Sequence, residues 1–447
     1  MSQHTSAPDD RRSAATLRKV TTGATIGAIV EWFDIAVYGY LAVEIGAVFF
    51  ASDNPTVSLL QSFAVFGLAY VVRPLGGIFF GALADKVGRQ KVLAWIILLV
   101  SGATFLIGFL PGHASIGVLA PLLLVVLRLI QGFSAGGEMG GASGFVAEYA
   151  PVRRRGFYVS WVEFGAIAGF LSGSLLVTIL RLSLSEEAML SWGWRIPFLI
   201  AGPLGAVGLY IRNRLEETPE FSRLQESGEV AKNPLGEAIT KHWRAILLAG
   251  AFALFQNVAL YVILTFLPSY ISGTQGYSTT TASVASLLTL ATVCTLIPIF
   301  GALSDRIGRK PLLMASCALG IVLPYPLFLL MSAGPAMAVI SAVLLGIMLA
   351  IYLGPILVAI NELFDTKVRF GGFGIGYNIS VALFGGTAPF VVGLLTETTG
   401  IKEMAGIYIA ISAVLTIIAV AISRESAPNR TGYDVISDKP LDATARG

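Results

Sequence analysis

The stretch Phe80-Gly-Ala-Leu-Ala-Asp-Lys-Val-Gly-Arg-Gln-Lys-Val-Leu93 returns 220 residues later as Phe300-Gly-Ala-Leu-Ser-Asp-Arg-Ile-Gly-Arg-Lys-Pro-Leu-Leu313, identical at eight of fourteen positions. Each copy is a short charged break between the second and third long apolar segments of its half of the chain. The repeat reads as two units of one design set in parallel. A weaker echo follows the fourth apolar segment of each half, where Glu148 and Arg155 recur as Glu362 and Arg369. Duplication of this kind places a binding site between the halves, with one half rocking against the other.

Of the 447 residues, 55% are hydrophobic and 13% charged, whereas ordinary soluble domains carry roughly 25% charge. That shortage excludes a soluble enzyme. Runs long and apolar enough to span a membrane are expected at 20–50, 59–80, 92–110, 117–137, 157–180 and 194–211, then at 245–271, 282–303, 312–331, 337–360, 373–395 and 405–422. A membrane β-barrel needs alternating polarity, which is absent. The expected fold class is an all-α membrane protein with twelve transmembrane helices in two pseudo-symmetric six-helix bundles. Its parts are a tail over 1–19, an N-terminal bundle over 20–212, a linker over 213–243, a C-terminal bundle over 244–423 and a tail over 424–447. The last is short and polar and is expected to be disordered.

Basic residues alternate sharply from loop to loop. The two tails, the stretch from Arg212 to Arg244 and the loops at 86–91, 153–155, 306–310 and 367–369 hold 25 of the 30, and the loops near 51–57, 111–115, 273–279 and 333–335 hold none. By the positive-inside rule both termini are expected to be cytoplasmic. The head lacks a small-residue cleavage site, so no removable signal is expected. Cys294 and Cys317 fall in apolar segments without metal-ligand spacing and read as buried small hydrophobes. No nucleotide loop, metal cluster or nucleophile triad is present to suggest an enzyme.

Arg73 and Arg128 are the basic residues left inside the spans. Glu31, Asp34, Glu138 and Glu163 are the acids that neither loop nor linker explains. Charge inside a membrane is costly and by default faces a cavity or an ion path. Glu31, Asp34 and Tyr38 are three and four residues apart, so they share one face of the first span. Arg128 in the fourth span is the expected partner of Asp34. An arginine keeps its charge and a carboxylate can take a proton, so the pair would be joined when ionised and released when protonated. A permanent ion pair holding the two spans together is the alternative. Gly132, Gly136, Gly140 and Gly144 follow at every fourth residue, which lets helices pack backbone to backbone. In the repeated loops Asp85 can sit at a helix N-terminus, and Arg89 and Arg309 can pair with Glu148 and Glu362. With Arg155, Asp305 and Arg369 these charges are expected to latch one conformation. Topology signalling by basic loops is the competing explanation.

Gly81 to Leu93 resembles the signature loop of the major facilitator superfamily, G-x-L-x-D-x-x-G-R-[RK]-x-x-[LV], and the second half carries a good copy. The runs Glu31-Trp-Phe-Asp-Ile-Ala-Val-Tyr38, Arg73-Pro-Leu-Gly-Gly77, Gln131-Gly-Phe-Ser-Ala-Gly-Gly-Glu138 and Trp192-Gly-Trp-Arg-Ile-Pro-Phe198 resemble the metabolite:H⁺ symporter family. Within it the chain looks most like the proline/betaine transporters. The resemblance implies a major facilitator fold in a bacterial inner membrane and proton-coupled import of a small zwitterion such as proline or glycine betaine. It makes Glu31, Asp34, Arg128 and Glu138 the charges for coupling and substrate orientation. The proton would be the coupling ion, with no other cofactor. The partners would be a small-molecule substrate and membrane lipid, with no nucleic acid and function as a monomer. An organic-acid symporter of the 2-oxoglutarate, citrate or shikimate type and an uncoupled facilitator are the alternatives. The proline of the drug antiporters' fifth span is absent, which argues against efflux, and the tail has no coiled-coil heptads.

Substrate chemistry adds further candidates. Aromatic faces hold a quaternary ammonium without hydrogen bonds, and a carboxylate wants an arginine or amide donors. Trp32, Tyr38, Trp161, Tyr261 and Tyr377 are the candidate cage, with Asn257 and Asn378 as polar anchors. A dicarboxylate would demand more fixed positive charge than Arg73 and Arg128 supply.

Overall fold

A computed structural model describes residues 10–50, 55–212, 239–365, 368–434, 436 and 439–440. Among these, ten helices are long and apolar enough to cross a membrane: Thr16–Tyr40, Gln61–Ala84, Gln90–Ile107, Leu119–Tyr149, Val152–Ser183, Trp243–Thr274, Thr279–Ile307, Pro335–Asn361, Arg369–Thr399 and Met404–Ile422. The shorter apolar helix Arg195–Tyr210 takes the sixth place in the expected order. The pair Arg309–Val322 and Pro324–Ala333, bent by 46°, takes the ninth. Spans are numbered one to twelve on this basis. The linker expected over 213–243 lies outside the described residues as far as 238.

The sequence repeat is also a repeat of backbone geometry. Gly88 separates Arg73–Val87 from Arg89–Ile107 with φ 104°, and Gly308 separates Thr279–Ile307 from Arg309–Val322 with φ 112°. A side chain is rarely tolerated there, so both turns require glycine.

The halves meet where span five crosses span eight and span two crosses span eleven. The repeat maps span two onto eight and five onto eleven, so one crossing is made twice. A Cβ on Gly156 would lie 2.7 Å from the Gly301 carbonyl oxygen, and one on Gly77 would lie 3.0 Å from that of Gly374. Backbone contact of this kind needs small residues on both helices.

Besides the bend in span nine, four spans among the described residues are interrupted partway along their length. Span two breaks at Val72, just before Arg73-Pro74, and span four at Gly136-Gly137, just before Glu138. Spans seven and eleven pass through π-turns at Val262–Phe266 and Val381–Gly385. Irregular backbone is tolerated at membrane depth only inside protein or along a cavity, and π-turns gather at functional sites. The chemically interesting side chains sit beside these breaks.

The C-terminal tail departs from the expectation of disorder. Pro428–Thr431 is helical, and Tyr433–Asp434 pairs antiparallel with Lys439–Pro440. Asp434 accepts from Arg155 at 2.8 and 3.3 Å, and the Asn429 amide donates to the Arg153 and Asp305 carbonyls at 3.1 and 2.8 Å. Glu425 accepts from the first amides of span nine, Arg309 and Lys310, at 2.9 and 3.1 Å. Polar composition suggested a solvated tail because its partners lie on distant loops. Replacing Asp434 by Ala removes the charged acceptor from a buried guanidinium, a loss of roughly 1.5–3 kcal/mol. A melting temperature several degrees lower in detergent is expected, and an unchanged melt would show that the docking contributes nothing.

Candidate substrate and coupling site between the bundles

Glu31, Asp34 and Tyr38 point from one face of span one into the N-terminal bundle, toward spans two, three and four. Glu31 accepts from Arg73 of span two at 3.0 Å. Asp34 accepts from Thr104 of span three at 2.7 Å. Tyr38 donates to the Ser62 carbonyl at 3.3 Å, and its ring lies under the Arg128 guanidinium, 4.1 Å from the centroid. Glu31, Asp34, Arg73 and Arg128 are charged groups that lipid would otherwise exclude.

The expected Asp34–Arg128 ion pair is not formed. Arg128 Nη1 donates to Gln131 Oε1 at 2.5 Å, Gln131 Nε2 donates to Thr104 Oγ1 at 2.6 Å, and Thr104 donates on to Asp34. The two charges are thus linked through a neutral amide and a hydroxyl. Aromatic faces of Tyr38 and Phe66, not a carboxylate, cover the guanidinium. The Thr104 hydroxyl also lies 2.9 Å from the Val100 carbonyl. Having one hydrogen and two lone pairs, it can donate to only one of these acceptors at a time.

At the seam between bundles stands a group of rings. Trp32 of span one faces Tyr261 of span seven at 6.5 Å and Phe170 of span five at 5.5 Å, and Tyr70 of span two meets Tyr261 edge-on at 5.5 Å. The guanidinium of Arg73 lies 4.8 Å from the Tyr70 ring centroid. Span eleven approaches through Gly385 and Gly386, where added side chains would meet the rings of Tyr261 and Tyr70 at 2.9 and 2.5 Å. A cavity of about 300 Å³ opens above, away from the basic loops, lined by Ile35, Phe66, Phe170 and Leu264 with hydroxyls of Ser174 and Ser269.

Other candidates are dispersed. Tyr377 is at the seam, its hydroxyl 3.3 Å from the Gln256 amide nitrogen. Asn257 donates to Ser380 at 3.4 Å inside the C-terminal bundle. Asn378 is a clamp, donating to the carbonyls of Gly136 and Gly374, both at 2.7 Å. Trp161 is removed from the cage, lining a groove with Leu17, Thr21 and Phe157 at the far end of spans one and five. Tyr38 belongs with Arg128 within one bundle. Glu138 is buried at the start of Glu138–Tyr149. Cys294 and Cys317 are buried thiols.

At the basic end the bundles are joined crosswise. Arg369 of the second half pairs with Glu148 of the first at 2.9 Å, and Arg155 of the first approaches Glu362 of the second at 3.8 Å. Each arginine also donates to a carbonyl eight residues before it, Ala147 and Asn361. Asp305 accepts from the Gly156 and Phe157 amides at 2.8 and 2.9 Å, capping span five from the other bundle, and from Arg309 at 2.7 Å. Arg309 reaches Glu362 at 3.4 Å, as its spacing suggested. The side chains of Asp85 and Arg89 lie outside the described residues.

Sequence reading passed over Thr104, Gln131, Tyr70 and Gln256. Gln131 lies three residues after Arg128, on the same helical face, and Gln256 is an uncharged amide in a long apolar run. Both were signals of buried polar contact. Thr104 carried none, since threonine is common in spans.

Two repeated six-span bundles, crossing at glycines and enclosing charges and rings at their seam, define a membrane transporter of the two-bundle type. The profile of the Major Facilitator Superfamily matches residues 24–369 and 260–441. The proline/betaine transporter of Salmonella typhimurium is 40% identical over 428 residues, covering 93% of this chain and 84% of that protein. The glycine betaine/proline/ectoine/pipecolic acid transporter OusA of Dickeya dadantii and the ectoine/proline transporter ProP of Corynebacterium glutamicum are each 38% identical, over 92% of this chain and 84% of theirs. The structure of the proton:xylose symporter XylE bound to 6-bromo-6-deoxy-D-glucose superposes with a TM-score of 0.79 at 18% identity, over 97% of this chain and 99% of that one. The chain belongs to the major facilitator superfamily and, within it, to the family of the proline/betaine transporters. It is a transporter and not an enzyme.

Proposed function

We propose that the protein imports a small zwitterion of the proline or glycine betaine type together with a proton, by alternating access across a bacterial inner membrane. The observation that carries this reading is the ring cluster Trp32, Tyr70 and Tyr261 beside Arg73, built from both bundles. Rings suit an alkylated ammonium, and a guanidinium suits a carboxylate. The names of the relatives point to the same solutes. The basic end is taken as cytoplasmic, so the cavity opposite it faces outward. A single chain in lipid suffices for this cycle.

Asp34 is the proton carrier in this reading. When ionised, it draws the Thr104 hydrogen. When protonated, it donates to Thr104, whose hydrogen turns to the Val100 carbonyl, while Gln131 continues to donate to the second lone pair. The proton state of Asp34 thereby sets the direction of the Thr104 hydroxyl, the group that ties Asp34 to Gln131 and Arg128 without a direct ion pair. Glu148, Arg155, Asp305, Arg309, Glu362 and Arg369 hold the cytoplasmic end shut until the bundles rock, and we assign Asp85 and Arg89 to the same device.

Uptake by proteoliposomes under an imposed pH gradient tests the substrate class. Proline, glycine betaine or ectoine should accumulate, and citrate, 2-oxoglutarate and shikimate should neither accumulate nor compete. Accumulation of an organic acid instead would overturn the reading.

A further inference from the structure

Glu163 of span five is wholly buried and takes no part in the coupling network. Its Oε1 accepts from the Gln256 amide of span seven at 2.7 Å, and Gln256 in turn lies 3.3 Å from the Tyr377 hydroxyl of span eleven. Its Oε2 has no hydrogen-bond partner, nor has Gln256 Oε1. Among the described residues no lysine, arginine or histidine lies within ion-pairing distance of it. Glu31, by contrast, has Arg73. A carboxylate buried without a counter-charge is expensive, and Gln256 supplies only a neutral donor.

The position is as informative as the missing partner. Gln256, which holds Glu163, is five residues from Tyr261 on span seven, roughly 7.5 Å from the ring cluster along the helix axis at 1.5 Å per residue. It lies toward the basic end, at the same seam between bundles. A substrate released in that direction carries its positive head past Glu163. We infer that Glu163 is the counter-charge for the cationic head of the substrate, the residue that makes the seam prefer a zwitterion to an anion of the same shape. The inference rests on the reading of the substrate as a zwitterion. It adds a residue that selects charge, where the rings select only shape and polarisability.

Glycine betaine and 3,3-dimethylbutanoate test it, because they differ by a nitrogen replaced with carbon and so by one positive charge. Binding of both to the purified full-length protein, and their competition for uptake, would be measured for the wild type, Glu163→Gln and Glu163→Asp. The wild type should prefer betaine strongly. Glu163→Gln keeps the volume and an acceptor for Gln256 but not the charge. It should lose at least about tenfold in betaine affinity, as expected for removal of one member of a buried charge pair, with little change for dimethylbutanoate. Glu163→Asp should retain the preference. An unchanged ratio in Glu163→Gln, or an equal loss for both ligands, would overturn the assignment, as would collapse of the ratio in Glu163→Asp. If the wild type binds no zwitterion at all, the substrate reading itself fails and this inference with it.

Discussion

Replacing Asp34 by Asn is expected to abolish proton-driven accumulation while leaving exchange of solute across the membrane measurable. Asn has nearly the shape of Asp and keeps an acceptor for the Thr104 hydroxyl, which lies 2.7 Å from the carboxylate in the native protein. What it lacks is a site that gains and loses a proton. The Thr104 hydroxyl, which ties this position to Gln131 and Arg128, then stays in one orientation. With an inward gradient of about two pH units, one proton per solute supports roughly a hundredfold accumulation, at ~1.4 kcal/mol per factor of ten. In Asp34→Asn that ratio should fall to about one, with counterflow persisting. Uphill uptake at the native level would remove Asp34 from the coupling step.

The second large effect is expected at the basic end. Glu148 and Arg369 are wholly buried in the seam and pair at 2.9 Å, one from each half. Breaking a buried ion pair by removing one member costs ~3–5 kcal/mol, chiefly through the charge left behind. The pair joins the bundles in the arrangement seen, with the basic end shut, so Glu148→Gln should destabilise that arrangement selectively. A shift of about 3 kcal/mol moves the equilibrium more than a hundredfold toward opening at that end. Cysteines placed along the seam below Tyr377 should become reactive to impermeant reagents from the basic side. Uptake should fall, and exchanging the charges in a Glu148→Arg, Arg369→Glu double variant should restore part of it. Unchanged accessibility would mean that the pair is scaffold and not latch.

The fold was legible because membrane burial constrains sequence severely. Twelve apolar segments, the alternation of basic loops and the copy of 80–93 at 300–313 are all one-dimensional signals. The matched glycine turns at Gly88 and Gly308 show that the repeat reaches the backbone. The site was legible in its charges and less so in their partners. Glu31, Asp34 and Arg128 stood out because charge is rare in a span. Which helix each one faces depends on rotation and on breaks such as that before Arg73-Pro74, which a hydropathy pattern does not register. The pattern therefore names no partner for Glu31, where the structure has Arg73, and it sets Asp34 directly on Arg128 in place of Thr104 and Gln131. Aromatic residues were the least legible. Trp32 and Trp161 look alike in sequence, yet one faces the other bundle and the other lines a groove near Leu17.

Coupling of solute to proton is the central claim, and external pH reports it most directly. Proteoliposomes holding the protein, with no pH gradient imposed at the start, would receive glycine betaine or proline outside while the lightly buffered medium is monitored. Import with a proton should make the medium more alkaline at once, in proportion to solute taken up, and the response should vanish in Asp34→Asn. Solute entry with no change of external pH would contradict proton symport and leave a facilitator.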